Sequence, residues 1–85
     1  MKITILYFAS IRETLGVDRE SLDLPPGVLT VSDLRRWLRE RGAVWSEALA
    51  EGRAVRVAVD RRLADPNALL SDGVELAFFP PVTGG

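Results

Sequence analysis

The chain opens and closes on its two most continuously apolar strand signals. Residues 2–8 are largely β-branched or aromatic, with no fully polar face, and residues 74–79 repeat that character. Strands this apolar belong in the middle of a sheet. A chain of 85 residues has room for one small domain. The two ends are therefore expected to lie side by side at its centre.

The intervening elements fit that expectation. Residues 10–15 allow one to two helical turns stopped by Gly16, and residues 19–24 form a weakly alternating edge strand ended by Pro25-Pro26-Gly27. Thr30-Val31-Ser32-Asp33 has the form of a capping box, with Thr30 as N-cap. Val31, Leu34, Leu38 and Arg41 follow at helical spacing, Trp37 flanks the stripe, and Gly42 supplies a stop. Residues 43–51 allow a second short helix with Val44, Ala48 and either Trp45 or Leu49 inward, ended by Gly52. Val55, Val57 and Val59 alternate with Arg56 and Ala58 as a strand, Asp60-Arg61-Arg62 reads as a turn, and Leu63-Ala64 as a short return strand. Ser71-Asp72-Gly73 is the turn before the last strand. The order describes an α+β domain, a mixed sheet crossed by one main helix. If the last strand runs parallel beside the first, the arrangement is the β-grasp (ubiquitin-like) fold. The domain is expected to span residues 1–79, with an extended tail at 80–85.

Strand parity divides the two central strands into faces. Ile3, Ile5 and Tyr7 pair with Val74, Leu76 and Phe78 on the face toward the helix. Thr4, Leu6 and Phe8 share the outer face with Glu75, Ala77 and Phe79. That outer face turns apolar toward the end where the tail departs, at Leu6, Phe8, Ala77 and Phe79. Two readings stand: a partner-binding patch, or a surface covered by the short helix or a loop.

The tail reads Pro80-Pro81-Val82-Thr83-Gly84-Gly85. Two prolines remove backbone donors and favour extended geometry, which gives a stiff stem. Gly84 and Gly85 carry no Cβ and would let a partner's site close tightly around the backbone. A terminal carboxylate, with a pKa of ~3.5, is a poor electrophile until adenylation supplies a leaving group. It can then accept sulfur or an amine.

Composition narrows the chemistry further. The chain has no cysteine and no histidine, which removes thiol nucleophiles, imidazole bases and disulfides. A net charge of −1 provides no general attraction to nucleic acid or membrane. No apolar run approaches a membrane span, no signal peptide opens the chain, and a cytoplasmic location is expected.

The segments Ile5-Leu6-Tyr7-Phe8-Ala9 and Ile11-Arg12-Glu13, the helix from Thr30-Val31 to Leu38, and above all residues 69–85 resemble the MoaD family of ubiquitin-like sulfur carriers. The resemblance covers nearly the whole chain. It implies a β-grasp fold and a carrier that is not an enzyme on its own. In that family an E1-like enzyme uses ATP to adenylate the terminal carboxyl, here that of Gly85, and a persulfide donor converts it to a thiocarboxylate. The tail then enters the large subunit of a heterotetrameric synthase and gives its sulfur to cyclic pyranopterin monophosphate. The resemblance makes Gly85 the sulfur-bearing residue and Gly84 its steric companion. Leu6, Phe8, Ala77, Phe79, Pro80, Pro81, Val82 and Thr83 become partner contacts. No metal and no cofactor bound by the chain is implied. Sulfur delivery to thiamine thiazole or to tRNA, and ubiquitin-like protein modification, are the alternatives.

Three remaining features have structural and functional readings. Arg53, Arg56, Arg61 and Arg62 form a solvated face or meet an acidic partner. Trp37 and Trp45 close the core or anchor an interface. Asp60, Asp65 and Asp72 sit at turns, where capping of backbone donors is the economical explanation.

Overall fold

The computed structural model describes residues 1–81. Five strands form one sheet in the order β2-β1-β5-β3-β4, comprising β1 (Lys2–Tyr7), β2 (Arg19–Asp23), β3 (Arg56–Val59), β4 (Arg62–Ala64) and β5 (Glu75–Phe79). β5 lies parallel to β1, with Ile5 opposite Leu76 and Tyr7 opposite Phe78, and antiparallel to β3. The two apolar ends of the chain are thus central neighbours, as in a β-grasp domain. β2 takes the edge beside β1, antiparallel, with Ile5 opposite Glu20.

The inward parity holds without a slip. Ile3, Ile5, Tyr7, Val74, Leu76 and Phe78 are all buried, in one core with Val31, Leu34 and Leu38 of α2 (Val31–Arg39). α1 (Ala9–Leu15) and α3 (Ala43–Ala48) add Ile11 and Ala48 to that core. The capping box forms at the start of α2. Thr30 Oγ1 accepts from the Asp33 N–H at 3.1 Å, while Asp33 Oδ2 accepts from the Leu29 and Thr30 N–H groups at 3.0 and 3.1 Å. These two backbone donors hold the Asp33 carboxyl below its ordinary value.

Three local readings are corrected. α2 ends at Arg39, so Arg41 lies beyond its stripe. There its guanidinium grips Glu20 of β2 at 2.8 and 3.2 Å and lies 4.1 Å above the Trp45 ring. Gly42, expected as a helix stop, begins α3 instead, at a φ of 149°. Val44, expected inward, is 46% exposed, because Ala48 and Leu49 take the inward positions of this short helix. Trp37 and Trp45 pack against the core.

Side chains from α2 also cap the end of α3. Arg35 Nε donates to the Leu49 carbonyl at 2.8 Å, and its Nη2 donates to the carbonyls of Ala50 and Arg53. Arg39 adds a bond to the Leu49 carbonyl at 3.3 Å. Cationic donors thereby satisfy carbonyls that a helix end leaves without intrahelical partners.

The β3–β4 hairpin turns through Asp60 and Arg61, both at positive φ (47° and 70°). It is pinned to β5 by reciprocal bonds, Asp60 N–H to the Glu75 carbonyl at 2.8 Å and Glu75 N–H to Asp60 Oδ1 at 3.0 Å. Asp65 and Asp72 likewise accept from backbone N–H groups, of Asn67 and Lys2. All three turn carboxylates are occupied as caps.

Candidate functional site

The register of the central strands builds an apolar row across the face opposite the helices. Leu6 stands opposite Ala77, Ala77 opposite Ala58, and Ala58 opposite Leu63. Arg19 closes the row at the β2 edge, opposite Leu6. One step toward the tail, Phe79 lies opposite Arg56. Phe8 keeps extended geometry past the end of β1, and its N–H donates to the Phe78 carbonyl at 3.1 Å, so it retains the outward parity of Leu6.

Four expected docking residues, Leu6, Phe8, Ala77 and Phe79, are thus brought together. Phe8 is 43% exposed and the other three are half-buried. The short helix is not their cover, because its buried residue, Ile11, joins the core on the opposite side. Two members of the row were not singled out from the sequence: Ala58 and Leu63, the latter 65% exposed. The alternation of β3 carries the signal for Ala58. The position of Leu63 follows only once the hairpin register is known.

Away from the apolar row the outer face turns polar, through Thr4 opposite Ser21 and Glu75. Arg53, Arg56, Arg61 and Arg62 are exposed, and among the described residues none forms an ion pair. Their solvated reading fits the structure.

At the end of β5 the half-buried Pro80 and Pro81 begin the tail stem. Val82, Thr83, Gly84 and Gly85, expected to carry the stem onward and to hold the reactive terminus, lie outside the described residues.

The titratable groups with perturbed ionisation serve the fold. Tyr7 is buried against Phe78 and Trp45, and its hydroxyl donates to Glu20 Oε2 at 2.7 Å. Burial first, then the Glu20 bond, pushes this phenol far above its ordinary range, which makes it a poor base or nucleophile. Asp33 is committed to the capping box, and Arg35 to backbone carbonyls. Among the described residues no group of acidic side chains is placed to hold a metal ion, and no helix is long and apolar enough to cross a membrane. The candidate site is an apolar face beside the prolines that follow β5.

Comparison with known proteins shows the family. The ThiS family matches residues 5–85. The chain is 40% identical to the molybdopterin synthase sulfur carrier subunit of Escherichia coli over 85 residues, covering 98% of this chain and 99% of that one. It is 37% identical to the same-named subunit of Haemophilus influenzae, with equal coverage. Among solved structures, a putative molybdopterin converting factor subunit 1 from Pyrococcus furiosus superposes with a TM-score of 0.78 at 32% identity, covering 96% of this chain and 99% of that one. A chain of the protein-protein complex of subunits 1 and 2 of the molybdopterin-converting factor from Helicobacter pylori matches with a TM-score of 0.66 at 25% identity, each chain fully covered.

Proposed function

The chain belongs to the MoaD/ThiS family, and from that premise we propose that its terminus carries sulfur for molybdopterin synthesis. It is the small sulfur carrier subunit of molybdopterin synthase and not catalytic by itself. The observation that supports the tail-centred mechanism is the apolar row through Leu6 and Ala77, open beside a stem whose prolines end the sheet ladder.

An E1-like enzyme joins the Gly85 carboxylate to AMP, with pyrophosphate leaving. The outer sulfur of a persulfide donor then attacks the acyl carbon and displaces AMP, and a thiol cleaves the resulting acyl disulfide, ending as a disulfide with the donor sulfur and releasing the thiocarboxylate. The large synthase subunit receives the tail and holds the pterin precursor, cyclic pyranopterin monophosphate. In this scheme Leu6, Phe8, Ala77 and Phe79 dock the partner, Pro80 to Thr83 span to its site, and Gly84 gives the terminus steric access. Docking removes the apolar row from water, while the tail brings only backbone to the reacting centre. The missing cysteine is consistent with this chemistry, since sulfur would ride on the terminal carboxyl.

Reconstitution tests the scheme. Thiocarboxylated carrier and large subunit should convert the pterin precursor, and one residue added after Gly85 should abolish conversion while leaving the fold intact. Full conversion by the extended chain would refute a role for the terminus. Carrier that accepts sulfur yet fails in this conversion would favour delivery to another product.

A further inference from the structure

Phe79 is the last residue of β5 to pair with β3, opposite Arg56. Pro80 and Pro81 have no N–H to donate, so the ladder gives them no such bond. The loop at 52–55 flanks them instead. Pro80 borders a depression lined by Gly52, Arg53, Ala54 and Val55. Pro81 borders a larger groove, of about 770 Å³, shared with Ala54, Val55 and Arg35. The same loop therefore borders both hollows beside the stem.

Residues 52–55 belong to neither a helix nor a strand. Arg35 braces the segment leading into them, through the carbonyls of Leu49, Ala50 and Arg53, the last at 3.1 Å. A guanidinium offers several donors in a rigid planar fork and can span such acceptors. A lysine ammonium is a compact point charge and cannot hold all three in this geometry.

We propose that Arg35 is a positioning residue for the tail. By gripping three carbonyls of the segment at 49–53, it fixes the loop that flanks Pro80 and Pro81 and so sets how these two prolines leave β5 ahead of the terminus. The assignment rests on the carrier reading only in treating that terminus as the reactive group.

The test compares Arg35→Lys with Arg39→Lys in the full chain. Arg39 also bonds the Leu49 carbonyl and reaches Glu51 at 3.3 Å, but it lines neither hollow beside the stem. Both variants should melt at lower temperature. Only Arg35→Lys should move the backbone amide resonances of Val82 and Thr83. Only it should lower kcat for ATP-dependent activation by the E1-like enzyme, roughly tenfold, with KM for the carrier little changed, as misplacement of a reacting group predicts. Wild-type kcat, KM and tail resonances in Arg35→Lys would overturn the proposal, whatever its melting temperature. If the wild-type chain is not activated at all, the carrier reading fails, and the tail resonances alone decide the positioning role.

Discussion

Leu6 and Ala77 face each other across parallel strands that come from opposite ends of the chain, on the side of the sheet away from the helices. Their inward neighbours, Ile5, Tyr7, Leu76 and Phe78, are fully buried. One pair of strands therefore supplies both the centre of the core and the centre of the proposed docking face.

Phe79→Glu separates those two roles. Phe79 is half-buried on the outer face, so the variant should keep its fold and lose affinity for the large subunit. A central aromatic contact is worth about 2 kcal/mol, which corresponds to roughly a thirtyfold rise in Kd by titration calorimetry. Leu76→Ala should behave in the opposite way. It should lose about 2–5 kcal/mol of stability in denaturant melts, while its folded fraction keeps near-normal affinity.

Thr30→Ala removes one arm of the capping box and should cost about 1 kcal/mol by chemical denaturation. The other arm is sensitive to acid. Because the folded state lowers the Asp33 pKa from 3.8, its contribution is fully present above that value and is lost as pH falls through the lower folded one. Asp33→Asn should therefore flatten the acid limb of the stability profile below pH 3.8. An unchanged acid limb would remove Asp33 from the account.

The hairpin tip offers a stabilising change. Arg61 holds a φ of 70° without being glycine. Arg61→Gly should relieve about 1 kcal/mol of left-handed strain and give back about half of that in backbone entropy. The net effect should raise Tm by about 2–4 °C in a scanning melt. Partner affinity should not change, because residue 61 lies outside the apolar row.

Much of this fold is written locally. The capping box needs only Thr30 and Asp33, and the two faces of β1 need only the alternation of Ile3, Thr4, Ile5 and Leu6. Their pairing with β5 follows from both strands being too apolar for an edge. What was not legible depends on distance. Leu63 joins the apolar row through the register of the β3–β4 hairpin. Arg41 leaves its helical stripe to meet Glu20, 21 residues away. Arg35 works on carbonyls 14 to 18 residues downstream, a role that no spacing rule on α2 could indicate. The Gly-Gly terminus is legible only as chemistry, because its proposed role is played out in a partner's site.

In the proposed cycle sulfur rides on the carboxyl of Gly85. Intact mass spectrometry of the full chain, after incubation with the E1-like enzyme, ATP, a persulfide donor and a thiol, reads this out. A mass increase equal to the exchange of one oxygen for sulfur is expected, localised by fragmentation to Gly85 and absent without ATP. No exchange, under conditions where the Escherichia coli carrier reacts, would contradict it, as would sulfur found on any other residue.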